Sequence, residues 1–182
     1  MSLSAGQIGK VLSEIGDTLR SGVIQKIDQP QPWSLVFEIH QRRERWHLYF
    51  SAQRRFSRVH LTNEKHPNPF SPPRFCQLLR AHLRWKQLLS LEQMGGDRIV
   101  RMTCAWPSSR AGMKTETEPS VPGDSRQASS IKEGETRTLS LVAELMGTAS
   151  NFFLIDHQGL LLGSLFPPPA GRSLQVGLPY LP

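Results

Sequence analysis

The sequence has few of the features that mark secreted, membrane-spanning or metal-binding proteins. Only two of its 182 residues are cysteine, Cys76 and Cys104, and neither a disulfide framework nor metal-ligand spacing surrounds them. No apolar run approaches the roughly 20 residues that a membrane span needs. Glu14 and Asp17 interrupt the start of the chain, where a signal peptide needs an unbroken apolar stretch. We therefore expect a soluble, cytoplasmic protein with no membrane partner, no metal and two buried cysteines.

Motifs for catalysis and cofactor binding are equally scarce. The sequence contains neither Gly-x-Ser-x-Gly nor the phosphate-binding patterns Gly-x-x-x-x-Gly-Lys and Gly-x-Gly-x-x-Gly. The carboxylates of the predicted strands are not closely spaced, as paired acid–base catalysts would be: Glu38, Glu92, Asp97, Glu144 and Asp156. We therefore predict a protein that is not an enzyme, has no cofactor and takes no small-molecule substrate.

Positive charge is concentrated in one third of the chain. The protein has 22 Lys and Arg residues against 15 Asp and Glu, and residues 40–86 hold eleven of the basic side chains but only two of the acidic ones. The remainder has 11 basic and 13 acidic side chains, a net −2. The same third contains four aromatic residues that can stack on bases: Trp46, Tyr49, Phe56 and Trp85. This mixture suits a phosphate backbone with unpaired bases, although a charged face kept for solubility explains the composition equally well.

The spacing of apolar residues predicts an amphipathic helix near the start of the chain. Between Ile8 and Leu19 the apolar residues recur at helical intervals. Ser4 and Gln7 have the spacing of a capping box, and Gly22 is the predicted stop signal.

A second helix is predicted to begin at Pro73, after a proline-rich segment at residues 68–73 that cannot be regular structure. Its residues divide into two stripes by helical spacing. The apolar stripe would contain Phe75, Leu78, Leu79, His82 and Lys86, and the other stripe Gln77, Arg80 and Arg84. We expect this helix to be apolar on one side and basic on the other.

Alternation with a period of two predicts about eight short strands. Residues 23–62 read as an antiparallel meander, and residues 88–106 as a hairpin around Gly95 and Gly96, which permit the positive φ angles of tight turns. One further strand, at residues 139–145, and a hairpin of residues 151–155 with 160–166 complete the set. The predicted fold class is α+β, an antiparallel β-sandwich with two flanking helices.

The chain is predicted to form one domain over residues 1–182, broken by one insert. Residues 107–137 are dominated by Ser, Thr, Glu, Pro and Gly, and we expect them to be disordered. The proline-rich tail at residues 167–182 is predicted to dock as an irregular arm.

Asp97 and Arg98 form a charged pair at the exit of the predicted glycine turn. Arg98 falls in phase with Val100 and Met102, on the strand face that we expect to be apolar. A guanidinium buried there without a partner would cost several kcal/mol. On the residues alone, the favoured interpretation is a salt bridge from Arg98 to a carboxylate such as Glu144, with Asp97 as an ordinary turn residue.

Several motifs occur in a recognisable order along the chain. They are Ser-Ala at residues 51–52, Ser-Arg-Val-His-Leu-Thr at 57–62, Asn-Pro at 68–69, Pro-Pro-Arg-Phe-Cys-Gln-Leu-Leu-Arg-Ala-His-Leu at 72–83, Gly-Asp-Arg-Ile-Val at 96–100, Glu-Leu-Met-Gly at 144–147 and Ser-Asn at 150–151. This series closely resembles the amino-terminal NFACT domain of the fibronectin-binding-protein-A-like, RqcH and NEMF group. The resemblance runs over residues 12–182 apart from the insert. It implies a fold similar to the N-terminal domain of formamidopyrimidine-DNA glycosylases.

The resemblance implies a role in ribosome-associated quality control. Members of the group bind obstructed large ribosomal subunits, recruit tRNA and support template-free extension of the stalled chain. Asp97 and Arg98 match the Asp-Arg signature of the domain, where an arginine can pair with phosphate or stack on a base. The implied RNA-binding set is Asp97, Arg98, Arg58, His60, Arg80, Arg84, Ser150 and Asn151. The implied partners are tRNA and the large ribosomal subunit.

The sequence departs from the family pattern at three positions. Thr148 and Ala149 replace a basic pair, and Ala81 replaces a lysine, so the surface for a polynucleotide is less basic than in the family. Two alternative functions stay open. One is a protein-interaction or adhesion module of the fibronectin-binding kind. The other is an inactive glycosylase-like domain that binds nucleic acid, since the chain starts with Met1 and Ser2 and lacks the N-terminal Pro-Glu of those enzymes.

Overall fold

Two α-helices and nine β-strands make up the part of the chain that the computed structural model describes, which comprises residues 2–67, 69–107, 137–168, 172 and 174–182. In chain order they are α1 (Ala5–Leu19), β1 (Val23–Asp28), β2 (Ser34–Gln41), β3 (Glu44–Ser51), β4 (Arg58–Leu61), α2 (Arg74–Leu83), β5 (Gln87–Gln93), β6 (Ile99–Ala105), β7 (Leu139–Glu144), β8 (Asn151–Ile155) and β9 (Leu161–Ser164). A short 3-10 turn, Gly147–Ala149, precedes β8. The predicted α+β class with an antiparallel sheet is confirmed.

Helix α1 starts as predicted but ends for a different reason. The Ser4 hydroxyl accepts a hydrogen bond from the backbone N–H of Gln7, and the Gln7 side chain accepts one from the backbone N–H of Ser4, so the capping box is confirmed. The residue in the left-handed region after the helix is Ser21, with φ of 66°, and not Gly22. Gly22 has another role. A Cβ at this position would lie 2.5 Å from Cγ2 of Ile39 and 2.9 Å from the carbonyl oxygen of Leu19.

All nine strands pair antiparallel with their neighbours. The meander predicted for residues 23–62 is confirmed as β1 to β4. Between β5 and β6, the N–H of Asp97 donates to the carbonyl of Met94 at 3.0 Å, and the two residues between them, Gly95 and Gly96, have φ of 58° and 69°. The predicted glycine turn is therefore also confirmed.

The strands form one continuous sheet in the order β4-β3-β2-β1-β5-β6-β7-β8-β9, instead of the two separate sheets that a sandwich implies. The sheet folds over on itself. Phe50 of β3 and Phe152 of β8 are far apart in the strand order, yet their ring centroids are 6.0 Å apart in an edge-to-face arrangement. The predicted layers thus exist as two halves of a single folded sheet, with the core between them.

Each helix packs against strands of both halves of the sheet. Helix α1 contacts β2, β4 and β5, whereas α2 contacts β1 and β9. The predicted apolar stripe of α2 is wrong in part: Cys76 and Leu83 are buried with Phe75 and Leu79, whereas Lys86 lies beyond the end of the helix. The helix ends at Leu83, before the stripe reaches Lys86.

Both cysteines are buried and free, as predicted. Burial raises the pKa of the Cys104 thiol to about 12, and burial also raises that of Cys76, so both stay protonated at neutral pH. Neither helix of the described ranges has the length and apolarity to cross a membrane.

The C-terminal tail docks as predicted. The N–H of Leu161 donates to the carbonyl of Leu178, and that of Tyr180 donates to Gly159. Leu174 and Tyr180 close a second, smaller apolar cluster against Phe153. Most of the insert predicted at residues 107–137 lies outside the described residues, which stop at Pro107 and resume at Arg137.

We predict that Gly22→Ala destabilises the fold. The added Cβ meets Ile39 and the Leu19 backbone within 3 Å, an overpacking that costs about 1–3 kcal/mol. The matched control is Gly6→Ala in α1, where no atom lies within 4 Å of the new Cβ. This control should raise the free energy of unfolding by about 0.5 kcal/mol. Chemical denaturation of both variants measures the difference, and equal stability of the two would contradict the close contact at Gly22.

Candidate nucleic-acid interface

The backbone of the Asp97–Arg98 turn is held by hydrogen bonds on both sides. The Asp97 carboxylate accepts from the N–H of Arg98 at 2.6 Å, and the Asp97 carbonyl accepts from the Gln93 side chain at 2.7 Å. The Arg98 carbonyl accepts from the N–H of Leu145 at 2.8 Å. Asp97 is exposed and Arg98 is half-buried. The backbone position from which the Arg98 side chain extends is therefore fixed.

The expected salt bridge between Arg98 and Glu144 does not form. Glu144, which is 3% exposed, accepts two hydrogen bonds from Arg172, at 2.6 and 2.7 Å, and one from the Tyr180 hydroxyl at 2.6 Å. Burial, together with these bonds to Glu144, raises the pKa of Tyr180, and the bond to Glu144 raises that of Arg172. Within the described ranges no side-chain hydrogen bond or ion pair engages the Arg98 guanidinium.

Arg58 lies at the same end of the sheet as Arg98. The buried Ser57 hydroxyl donates to the carbonyl of Leu145 at 3.2 Å. The N–H of Leu145 in turn donates to the carbonyl of Arg98. Arg58 follows Ser57 directly, and its guanidinium carbon lies 5.5 Å from the ring centroid of Phe56. We call this region the Arg98 end, and it comprises residues 52–58, 94–98 and 145–151.

Ser150 and Asn151 also lie at the Arg98 end, but their side chains differ in what they can offer. Asn151 is 5% exposed, and its side-chain amide donates to the carbonyl of Phe166 and accepts from the Phe166 N–H, so it clamps β8 to the chain after β9. The Ser150 hydroxyl is buried without a hydrogen-bond partner among the described residues. The geometry gives Asn151 a structural role and leaves the Ser150 hydroxyl unassigned.

His60 projects from the outer side of β4 as part of an aromatic cluster. Its ring centroid lies 5.1 Å from that of Tyr49, which is in turn 5.2 Å from the ring of His66. Burial lowers the pKa of His60, and the neighbouring charge of Arg58 lowers it further. His60 is therefore neutral at pH 7 and offers stacking, and not charge, to an anionic ligand.

The two predicted arginines of α2 do not join the Arg98 end. Arg80 donates to the carbonyl of Ile27 at 2.7 Å and pairs with Asp28 at 2.9 Å, so it fastens α2 to β1. Arg84 donates to the carbonyl of Gln25 and lies just before β5. The turn at Arg98 lies at the other end of the β5–β6 hairpin, about 25 Å away at roughly 3.3 Å per residue. The basic side chains therefore do not surround a single turn.

Two exposed arginines that the sequence analysis counted but did not assign belong to the Arg98 end. Arg54 and Arg55 occupy the connection between β3 and β4. The Arg54 carbonyl lies 3.5 Å from the position of a Cβ on Gly147, which places this connection against the segment after β7. The signal in the sequence was two adjacent basic residues between strands, next to Ser57 and Arg58.

Comparison with known proteins identifies a matching family and several relatives. A family model described as NFACT N-terminal and middle domains matches residues 7–180. The Rqc2 homolog RqcH of Bacillus subtilis (strain 168) is 38% identical over 168 residues, which cover 91% of this chain and 25% of that protein. The Rqc2 homolog RqcH of Streptococcus pneumoniae serotype 2 is 33% identical over 156 residues, which cover 86% of this chain and 24% of that protein. The chain thus spans about a quarter of the length of these curated relatives.

Solved structures show the same fold. The N-terminal domain of fibronectin-binding protein PavA from Streptococcus pneumoniae aligns with a TM-score of 0.77 at 27% identity, over 98% of this chain and 61% of that one. The N-terminal part of the fibronectin/fibrinogen-binding protein FBPS from Streptococcus suis also aligns with a TM-score of 0.77, at 24% identity, over 100% of this chain and 61% of that one. The second similarity supports the fold alone.

We predict that Glu144 and Arg98 differ in their effect on stability. Glu144→Ala leaves Arg172 half-buried without its carboxylate, which costs about 3 kcal/mol or more. Arg98→Ala removes a side chain with no partner among the described residues, so the free energy of unfolding should change by less than about 0.5 kcal/mol. Urea unfolding of both variants tests this, and a large loss for Arg98→Ala would show that its guanidinium does stabilise the fold.

We also predict that His60 titrates below the ordinary histidine value of 6.5. Because protonation is less favourable in the fold than in the unfolded chain, the stability contribution of a neutral His60 is complete above about pH 6.5 and is lost as the pH falls through the lowered pKa. Arg58→Gln should move the pKa of His60 upward but not fully back, since burial remains. Side-chain NMR across a pH series measures both values, and a pKa above 6.5 in the unmodified chain would contradict the burial argument.

Proposed function

The chain belongs to the NFACT N-terminal family, and on this premise we propose that it is a tRNA-binding, non-enzymatic module of ribosome-associated quality control on the large ribosomal subunit. The relatives named RqcH support the quality-control context. This chain covers only about a quarter of the length of those proteins, so the activity of the whole protein and its cytoplasmic location belong to the proposal.

The observation that carries the proposal is the state of Arg98. Its backbone is fixed on both sides, whereas no described residue neutralises its guanidinium. An unpaired guanidinium on a rigid turn is ready to pair with a phosphate through two parallel hydrogen bonds, or to stack on an exposed base. Asp97 orders the turn by accepting the Arg98 N–H and can also accept a hydrogen bond from a base edge.

The neighbouring arginines supply affinity without sequence preference. Arg54, Arg55 and Arg58 lie at the Arg98 end and neutralise phosphates there, which releases condensed counterions. Thr148 and Ala149, which are exposed in the adjoining 3-10 turn, add no charge to this surface. We therefore assign the RNA contact of this end mainly to Arg98 and the β3–β4 connection.

A protein-interaction or adhesion module is the second candidate. It is favoured by the structural similarity to the N-terminal domain of fibronectin-binding protein PavA, at 27% identity. A pull-down with fibronectin distinguishes it from RNA binding, because an adhesion module would retain fibronectin and leave tRNA unbound. The likeness to glycosylase N-terminal domains, and with it an inactive DNA-binding role, stays a prediction.

We predict that Arg98→Ala weakens tRNA binding while the protein stays folded. Loss of one charged contact should cost about 1–3 kcal/mol of binding free energy. The slope of log K against log salt should also become less negative by about one. Gel-shift titrations with total tRNA at several salt concentrations give both quantities.

The matched control is Lys26→Ala, which removes an exposed cation of β1 that lies outside the residues of the Arg98 end. It should bind tRNA as the unmodified chain does. If Arg98→Ala folds and binds with unchanged affinity and slope, Arg98 has no part in RNA binding and the proposal loses its main support.

A further inference from the structure

Among the residues that the structure describes, four other than glycine have a backbone in the left-handed region, and these four lie at one end of the sheet. They are Ser21 (φ 66°), Arg42 (φ 49°), Arg43 (φ 73°) and Trp85 (φ 68°). Ser21 precedes β1, the two arginines connect β2 to β3, and Trp85 precedes β5. We call this region the Trp85 end, and it comprises residues 20–22, 41–44, 84–87 and 105–106. It is opposite to the Arg98 end along β5 and β6.

The chain uses unfavourable residues at these positions. A two-residue hairpin with both φ angles positive favours Asn-Gly, yet here Arg42 and Arg43 form the turn with their side chains exposed. Trp85 is a bulky aromatic residue in a conformation that suits glycine, and it is 41% exposed. Strain of this kind is typical of functional surfaces, because folding alone would be served better by other residues.

The Trp85 end presents two exposed indoles, each paired with a cation. The guanidinium carbon of Arg84 lies 4.8 Å from the ring centroid of Trp85. The ammonium of Lys86 lies 3.9 Å from the centroid of Trp106, which is 40% exposed. Both contacts are within cation–π range, so the rings are held in place at the surface.

The chain segments that carry these side chains lie next to one another. The Gln41 side chain donates to the carbonyl of Arg20 at 2.7 Å, and the Gln87 side chain donates to that of Ser21 at 3.0 Å. The ends of β2, β1, β5 and β6 therefore lie side by side, across about 15 Å at the usual strand spacing. These segments carry four exposed cations, Arg20, Arg42, Arg43 and Arg84, against the carboxylates of Asp17 and Glu44, whereas Lys86 is buried beneath Trp106.

We propose that the Trp85 end is a second RNA-binding surface, separate from the Arg98 end. Unpaired bases stack on Trp85 and Trp106, and the hairpin arginines hold the adjacent phosphates, which is how positively charged surfaces with aromatic platforms bind single-stranded segments. The inference rests on the proposed RNA binding. Because the two ends are about 25 Å apart, they contact different segments of one folded RNA.

The conformations of these residues allow variants that remove the ligand contacts and relieve strain together. Replacing the hairpin pair by Arg42→Asn with Arg43→Gly places the preferred residues in the turn and deletes two charges. Trp85→Gly places glycine at a positive φ and deletes the indole. Thermal unfolding of the hairpin variant should occur at or above the temperature of the unmodified chain, and tRNA binding by both variants is measured well below their unfolding temperatures, so a loss of binding cannot be ascribed to unfolding.

Gel-shift titration with total tRNA should show weaker binding for both variants, by about tenfold each. For the hairpin variant, the slope of log K against log salt should also become less negative by about 1.4 to 1.8, the value for two lost phosphate contacts. For Trp85→Gly the slope should be unchanged, because no charge is removed. The control Lys26→Gln with Lys65→Gln deletes two exposed charges outside the residues of both ends and should bind tRNA within about twofold of the unmodified chain.

Three outcomes would overturn the inference. If both Trp85-end variants bind tRNA normally while Arg98→Ala binds weakly, the second surface is wrong and the proposed function stands. If the unmodified chain binds no tRNA, the proposed function and the second surface fail together. If the hairpin variant keeps its tRNA affinity but no longer binds vesicles containing phosphatidylserine, the partner of this end is a membrane and the RNA assignment is wrong.

Discussion

The main chain of Leu145 joins the parts of the candidate site. Its N–H donates to the carbonyl of Arg98, and its carbonyl accepts from the buried hydroxyl of Ser57. One residue after β7 therefore connects the turn between β5 and β6 to the start of β4, which belongs to the other half of the folded sheet. This junction fixes the backbone next to Arg58 relative to that of Arg98 across the two halves of the sheet. The buried hydrogen bond from Ser57 adds only modestly to the free energy of unfolding while it is intact. If it were broken, its donor and its acceptor would both be buried without a partner, which is costly.

The partners of Glu144 explain why the Arg98 guanidinium has no carboxylate partner among the described residues. Its carboxylate is fully occupied by Arg172 and Tyr180, both from the tail. The period of two along the strand predicted that Arg98 lies on the apolar face, where a nearby carboxylate would be its expected partner. No local pattern could show that the competing cation comes from a residue 28 positions further along the chain. The docked tail therefore bears on the site, because it engages the carboxylate that the sequence analysis assigned to Arg98.

Local patterns in the sequence were sufficient to predict helices, strands and turns, but insufficient to predict how these elements are arranged in three dimensions. The capping box at Ser4, the meander and the turn at Gly95 follow from hydrogen bonding and backbone sterics within a few residues, and all are confirmed. The single folded sheet depends on contacts such as that between Phe50 and Phe152, which no short window contains. Helix α2 is a second case in which a local pattern was insufficient. Helical spacing predicted an apolar stripe that reaches Lys86, but the helix ends at Leu83.

The charge of residues 40–86 shows how a local feature of the sequence becomes two features of the structure. Successive connections in an antiparallel meander lie at opposite ends of the sheet, because each strand reverses the direction of the chain. Arg42 and Arg43 connect β2 to β3 at the Trp85 end, and Arg54 and Arg55 connect β3 to β4 at the Arg98 end. A basic run that looks like one patch in the sequence is thus divided between two surfaces. A single compact anion could engage only one of them, whereas an extended polyanion could span the length of β3 and engage both.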